Sequence, residues 1–221
     1  GFFRDDDFEG IYGGDGHSVS GIYIGSNNQN NVYIGLFGSC EDAVVKDLTI
    51  KNVHIDVTSN VDDISTAMVG SVTGRATSST FTNVKVENSN IAYSTQYSNT
   101  VCGGLAGRVD GNGHFTDCSF KGNIKADIIN STQLGGLIGY VPKGELYMKK
   151  CYTSKGKINA EFNSPYQYDF HIGGLVGYYK EIDDGDYVRK RYGLEECTNN
   201  MDIVADSHDE DGCKNLYVYA I

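Results

Sequence analysis

The chain is 221 residues long and carries a formal net charge of −11, from 29 acidic and 18 basic side chains. Nonspecific affinity for nucleic acid comes from cationic side chains that release counterions from the phosphates, so this charge excludes nucleic acid as a general partner. No run of about 18 apolar residues occurs, and the sequence predicts no membrane-spanning segment. With 28 glycines, 2 prolines and no linker-like stretch, residues 1–221 are interpreted as a single domain.

The predicted elements begin with a leader, residues 1–31, in which glycines punctuate an apolar pattern between Phe8 and Ile22. Five repeat units follow, at residues 32–66, 67–100, 101–132, 133–171 and 172–221. Each unit has one glycine-rich apolar strand, and the last glycines of these strands are Gly38, Gly74, Gly107, Gly139 and Gly177. A period of 32 to 38 residues with a β-type pattern inside each unit is typical of a solenoid.

The second half of each unit repeats apolar residues at near-constant offsets. Alternation with a period of two sends these side chains inward, and parallel strands about 4.8 Å apart stack equivalent residues over one another. Four columns result: Val45, Phe81, Phe115, Met148 and Leu194; Leu48, Val84, Cys118, Cys151 and Cys197; Ile55, Ile91, Ile124, Ile158 and Ile203; and Val57, Tyr93, Ala126, Ala160 and Ala205. The sequence therefore predicts an all-β fold, a single-stranded right-handed parallel β-helix (β-solenoid) of about six coils, with the leader as the first coil.

Two glycine strands, Gly103–Gly107 and Gly173–Gly177, resemble the GLUG motif, a short repeat of bacterial surface and secreted proteins that include adhesin-like molecules and some immunoglobulin A peptidases. The segment Phe8–Ile22 is similar to the leader that often precedes such repeats. Unit two departs from the motif at Ser71. The resemblance implies a β-helix on the outside of a bacterial cell.

On this basis we expect a noncatalytic, extracellular cell-surface module that is adhesin-like or acts as a scaffold for a ligand or glycan. Its expected partner is a glycan or a host or cell-surface protein, and it is expected to be a monomer or part of a longer chain. We also expect that an export signal or lipoprotein anchor has been removed ahead of Gly1.

The cysteines do not indicate a disulfide framework. Cys118, Cys151 and Cys197 share one column, where the strand spacing of about 4.8 Å exceeds the roughly 3.5–4.5 Å between Cβ atoms that a disulfide prefers. We expect free thiols there, and Cys102 stands in a core position before a Gly-Gly pair. The pairing of Cys40 and Cys213 is left open. No paired spacing of the C-x2-C type predicts zinc.

A weak calcium site is the only cofactor that the sequence indicates. Its candidate ligands are Asp206, Asp209 and Asp211, which lie in an acidic run ending at Gly212. Calcium takes six to eight oxygen ligands, and extracellular modules often bind it weakly. The alternative interpretation is a solvated acidic loop, since the run does not have EF-hand spacing.

Tyrosine is abundant, with 16 residues, and tryptophan is absent. Tyr178, Tyr179, Tyr187 and Tyr192 surround the long insertion of unit five and are the candidate ligand-binding residues. A tyrosine ring stacks on a sugar or a protein partner at low entropic cost. The alternative is that strands simply favour tyrosine.

The alternative function is a carbohydrate-active β-helix enzyme, a polysaccharide hydrolase or lyase. Its candidate groups are Asp62, Asp63 and His17, because paired carboxylates support glycoside hydrolysis. No basic pair recurs beside these acids, and His17 belongs to the leader pattern. The sequence therefore assigns no catalytic residue.

Overall fold

A computed structural model describes residues 7–27, 33–59, 66–95, 99–128, 130–162, 168–180, 182–183, 188–189, 192–207 and 213–219. Within these ranges the chain is all β, and none of it forms a helix that is long and apolar enough to cross a membrane. The strands form the parallel sheets of a β-solenoid, with one short antiparallel pair. The predicted fold class is confirmed.

The strands of the described residues are, in chain order, β1 (Ile11–Gly13), β2 (Ser18–Ser20), β3 (Tyr23–Asn27), β4 (Tyr33–Ile34), β5 (Phe37–Glu41), β6 (Val44–Ser59), β7 (Thr66–Gly70), β8 (Thr73–Thr77), β9 (Thr80–Thr95), β10 (Asn99–Gly103), β11 (Ala106–Thr116), β12 (Ser119–Ile128), β13 (Thr132–Gly135), β14 (Ile138–Lys149), β15 (Tyr152–Thr153), β16 (Lys157–Phe162), β17 (Tyr168–Gly173), β18 (Val176–Tyr179), β19 (Ile182–Asp183), β20 (Val188–Arg189), β21 (Tyr192–Glu195), β22 (Asp202–Ser207) and β23 (Cys213–Tyr219).

Each turn of the solenoid begins in a six-stranded parallel sheet made of β4, β7, β10, β13, β17 and β23. A two-residue bend, such as residues 71–72 or 174–175, then leads into a second strand, such as β8 or β18, and the turn ends in a third side, such as β12 or β16. Four successive turns, starting at β4, β7, β10 and β13, have all of their strands in the described residues.

The two end turns are less complete, which makes the solenoid about four turns long and not about six. The leader contributes β1, β2 and β3, which pair only with β6 among the described strands. The turn that starts at β17 is interrupted by the antiparallel hairpin of β19 and β20. This hairpin lies in the insertion that makes unit five the longest repeat.

The inward ladders follow the predicted columns. Val45 pairs with Phe81, and the same column continues through Phe115, Met148 and Leu194. The Phe81 and Phe115 rings stack with centroids 4.8 Å apart and planes 9° apart. The isoleucine column is continuous as well, and Ile24 of the leader extends it by one rung. Stacking of like side chains lets one core run the length of the solenoid.

Residues with a left-handed backbone form a column where the chain turns between its second and third sides. The φ angles of Asp47, Asn83, Asp117, Lys150 and Glu196 all lie between 53° and 54°. Asparagine and aspartate tolerate this conformation better than other residues with a Cβ. The Asn83 side chain also donates a hydrogen bond from Nδ2 to Asp47 Oδ1 at 2.9 Å, which links two neighbouring turns.

The last glycines of the second to fifth repeats let two backbones approach closely. A Cβ added to Gly107 would lie 2.5 Å from the backbone nitrogen of Val69 on β7, and one added to Gly177 would lie 2.5 Å from the carbonyl oxygen of Leu134 on β13. The second strand of each turn therefore packs directly against the six-stranded sheet. This close approach decides which side chains meet on the outside of the fold.

The described cysteines are free thiols, as predicted for the cysteine column. Cys102, Cys118 and Cys151 are buried, and Cys197 is half-buried. Cys40, which the sequence left open, is also a buried free thiol, and burial raises its pKa to about 11. Burial raises the pKa of Cys102 to about 12. The side chain of Cys213 lies outside the described residues.

Candidate ligand-binding surface

One outward-facing column combines arginine and tyrosine on four adjacent turns. Arg75 pairs with Arg108, Arg108 with Tyr140, and Tyr140 with Tyr178. Each of these residues directly follows the last glycine of its repeat. All four side chains are half-buried, so each has an edge in solvent. We call this column, together with the rings of Tyr33, His171, Tyr217 and Tyr219, the aromatic–arginine stripe.

The rings beside this column come from the six-stranded sheet, which the repeat glycines bring close. They are Tyr33 on β4, His171 on β17, and Tyr217 and Tyr219 on β23. His171 stacks on Tyr178 with a centroid distance of 4.0 Å and on Tyr217 with a distance of 4.7 Å. Its Nδ1 also lies 3.2 Å from the Tyr219 hydroxyl. At one end of the stripe, β17, β18 and β23 thus bring together the rings of His171, Tyr178, Tyr217 and Tyr219.

The stacking continues from these rings toward the arginines. The Tyr140 and Tyr178 rings are 5.5 Å apart with planes that differ by 2°. On the other face of Tyr140 lies Arg108, whose Cζ is 5.9 Å from the ring centroid. Arg75 stands at the same 5.9 Å from the ring of Tyr33. Cation–π attraction therefore stabilises both arginines beside an aromatic ring.

A single buried carboxylate fixes the two arginines. Asp110 accepts hydrogen bonds on Oδ2 from Arg75 Nε at 3.0 Å and from Arg108 Nε at 2.9 Å. Its Oδ1 accepts a second bond from Arg108 Nη2 at 2.9 Å. The Asp110 side chain is 3% exposed, whereas those of Arg75 and Arg108 are 31% and 27% exposed. Two partly exposed guanidinium groups are therefore held by one buried acid.

The pKa values along the stripe reflect partial burial. Burial lowers the pKa of Arg75, but its hydrogen bond to Asp110 and the nearby Tyr33 outweigh this effect, so the net shift is upward. Burial raises the pKa of Tyr140, with a further contribution from Tyr178. Burial lowers the pKa of His171, although Asp169 opposes the shift. The neutral forms of the Tyr140 and His171 rings are thus favoured, while Arg75 stays charged.

Of the four tyrosines predicted to bind a ligand, Tyr178 is the one that the structure brings into the stripe. Tyr179 packs against the core, and its hydroxyl donates a hydrogen bond to the carbonyl oxygen of Gly144 at 2.8 Å. Its role is therefore structural. Tyr187 lies outside the described residues. Tyr192 pairs with Leu146 through the backbone of β21, and its side chain is not among those described.

The structure describes one of the three predicted calcium ligands. Asp206 is exposed on β22 and pairs with Glu161 on the neighbouring turn, whereas Asp209 and Asp211 lie outside the described residues. In the part of the chain that is described, no group of three or more His, Cys, Asp or Glu side chains is arranged to hold a metal. The calcium site stays a prediction.

The acids considered for an enzyme are not brought together by the described structure. Asp62 and Asp63 lie outside the described residues, and His17 is exposed on the leader. A different carboxyl pair, Asp7 and Glu41, comes together on neighbouring turns, next to the bridge between Phe8 and Cys40. The interaction with the Asp7 side chain raises the pKa of Glu41. No pattern in the sequence predicts this pair, because its members belong to different turns.

Comparisons of this chain with protein-family models, with curated proteins and with solved structures found no match.

Proposed function

We propose that this protein is a noncatalytic, extracellular cell-surface β-solenoid module that binds glycans along the aromatic–arginine stripe. The observation that carries the proposal is the continuous stack in which Tyr140, Tyr178, His171 and Tyr217 follow Arg108 along the solenoid. The stack combines aromatic surface with hydroxyl and guanidinium donors. Such a combination suits a sugar, which offers both apolar C–H faces and many hydroxyl groups.

The ring arrangement indicates how a sugar would contact the stripe. Tyr140 and Tyr178 have neighbours on both faces, so they offer their edges and hydroxyl groups to solvent. Tyr217 and Tyr219, in the last described strand, are 40% and 39% exposed. A pyranose ring can stack on these terminal rings while its neighbours in the chain form hydrogen bonds along the column.

The solenoid supports this role because it holds the rings in place before a ligand arrives. Each stripe residue lies on a strand whose backbone is fixed by pairing to the neighbouring turns. Little side-chain entropy is then lost on binding, which favours affinity. The extracellular location and the adhesin-like role rest on the GLUG-like strands Gly103–Gly107 and Gly173–Gly177 and on the leader that precedes them.

A glycan array probed with the purified chain tests the proposal. We expect the wild-type protein to retain a set of glycans, and Tyr217→Ala and Tyr178→Ala to lose most of that signal. Tyr152→Ala is the matched control, because Tyr152 is 42% exposed and lies outside the stripe. Thermal melting of each variant establishes that the fold is intact. An array without any retained glycan, or equal retention by all three variants, would overturn the proposal.

A second candidate function, a carbohydrate-active enzyme, is favoured by the Asp7–Glu41 pair. The interaction with the Asp7 side chain raises the pKa of Glu41, and a carboxyl group with a raised pKa can act as a general acid. Release of reducing ends from polysaccharides, abolished by Glu41→Gln but not by Asp117→Asn, would establish this function. No release by the wild-type chain would eliminate it.

A further inference from the structure

We propose that the arginine end of the stripe binds the carboxylate group of an acidic sugar, a uronic acid unit of a polysaccharide, with Arg108 as its main anchor and Arg75 beside it. This inference rests on the proposed glycan-binding function and adds the chemical class of the ligand. Two guanidinium groups share one carboxylate at this point of an otherwise acidic chain.

Both arginines have partly exposed side chains and keep hydrogen-bond donors that Asp110 and Tyr33 do not use. Arg108 uses Nε and Nη2 for Asp110, and within the described residues its Nη1 makes no hydrogen bond. Arg75 uses Nε for Asp110 and Nη1 for the Tyr33 hydroxyl at 3.5 Å, which leaves Nη2. Guanidinium donors held in a fixed orientation are suited to the planar geometry of a carboxylate.

The local charge also favours an anion at Arg108. One carboxylate, Asp110, balances only one of the two guanidinium groups. The other acid whose charge interacts with Arg75 is Glu41, which lies on β5, two rungs from Asp110 in the same column. Arg108 is on the far side of Arg75 from Glu41, so Glu41 neutralises mainly the charge of Arg75.

A purely structural role does not require both arginines. Arg108 alone already provides Asp110 with two hydrogen bonds, one to each oxygen, and this satisfies the buried acid. Arg75 adds a second cation whose side chain is 31% exposed. Tyr140 then continues the site on the next turn with a half-buried ring. The arrangement offers two cations for the carboxylate and an aromatic edge for the sugar that bears it.

Calorimetric titration with two oligosaccharides of equal length, hexagalacturonate and its neutral galactose counterpart, tests the inference. We expect wild type to bind the acidic sugar more tightly, and Arg108→Gln to lose about tenfold to a hundredfold of that affinity, the usual contribution of charge-assisted hydrogen bonds. The same variant should lose less affinity for the neutral sugar, because that sugar has no carboxylate for the guanidinium group to bind. Lys121→Gln, which removes an exposed cation from β12 outside the stripe, should change neither affinity.

Arg108→Lys separates geometry from charge, because it keeps the cation and loses the planar fork. We expect it to lose most of the affinity that Arg108→Gln loses, with a smaller fall in melting temperature because a cation still faces Asp110. Equal affinity of the wild-type chain for the two sugars, or unchanged hexagalacturonate binding by both Arg108 variants, would overturn the inference and leave the glycan-binding function standing. Binding of neither sugar, together with an empty glycan array, would remove both.

Discussion

Arg75 and Arg108 lie on neighbouring turns and donate hydrogen bonds from their Nε atoms to the same oxygen, Oδ2 of Asp110. The shared acceptor joins two turns through side chains in addition to the backbone ladder. It also keeps two like charges close together, which is tolerated because a buried carboxylate lies between them. The orientation of both arginines thus depends on one residue.

Replacing Asp110 tests whether it holds Arg75 and Arg108 in place. Asp110→Asn keeps the shape of the side chain but removes its charge, and we expect it to lower the free energy of unfolding by about 1–3 kcal/mol. The loss stays below that of a fully buried ion pair because both arginines are partly exposed to water. Urea unfolding of wild type and Asp110→Asn measures this difference in the free energy of unfolding. Asp117→Asn is the control, since Asp117 is exposed and asparagine tolerates its left-handed backbone, and a similar loss there would contradict this explanation.

The isoleucine ladder predicts a larger effect. Ile124 is 1% exposed and lies between Ile91 and Ile158. Ile124→Ala should destabilise the protein by about 2–5 kcal/mol, because it removes buried methyl groups and leaves a cavity between two rungs. Chemical denaturation with Lys121→Ala as control checks this, since Lys121 is exposed on the same strand and should change stability by less than about 0.5 kcal/mol. Equal effects of the two substitutions would contradict a continuous core.

The ladders could be predicted from the sequence because two independent signals coincide there. Alternation identifies which residues of a strand point inward, and the repeat period identifies which residues of successive turns share a rung. Both signals hold even where the residue type changes, as in the column from Val45 through Phe81 to Met148. The number of complete turns was less predictable, because the leader and the insertion of unit five both repeat the pattern only in part.

The stripe could not be predicted in the same way, because its column does not conserve chemistry. Ser39, Arg75, Arg108, Tyr140 and Tyr178 occupy equivalent positions after the last glycine of each repeat. Nothing in these residue types marks them as one surface. The available signal was their position, since a residue that follows a closely packed glycine lies beside the neighbouring sheet. Of the tyrosines predicted around the insertion of unit five, Tyr178 is the one that belongs to the stripe.

The close packing at the repeat glycines should make them sensitive to a single methyl group. In Gly107→Ala the new Cβ would lie 2.5 Å from the backbone nitrogen of Val69 and 2.7 Å from the carbonyl oxygen of Gly74, and neither can rotate away. Ordinary overpacking costs about 1–3 kcal/mol, and we expect Gly107→Ala to lower the free energy of unfolding by more than this. Gly13→Ala is the control, because its nearest neighbours would be the Asp15 and Lys46 side chains at 3.7 and 3.8 Å. An equal fall in melting temperature for both variants would contradict the close approach of the two backbones at Gly107.

The ring stack predicts a pH dependence that belongs to His171. Burial between tyrosines lowers the pKa of His171 below its usual value of 6.5, and the charged and titratable groups that face it are Tyr178, Tyr217, Tyr219 and, with the opposite effect, Asp169. The unfolded chain therefore takes up a proton at this histidine before the folded protein does. Its contribution to stability is complete above about pH 6.5 and is lost as the pH falls toward the lowered folded-state pKa.

Urea unfolding at pH 7.5 and pH 5.5 measures this dependence. We expect His171→Gln, which introduces the residue found one rung away at Gln133, to lose less stability on acidification than wild type does. His17→Gln is the control, because His17 is exposed on the leader and lies outside the stack. Comparing the difference between the two pH values across these variants cancels the contribution of Glu41, whose raised pKa acts in the opposite direction by favouring the folded protein at low pH. If His171→Gln and His17→Gln showed the same pH dependence as wild type, the stack would not hold His171 in its neutral form.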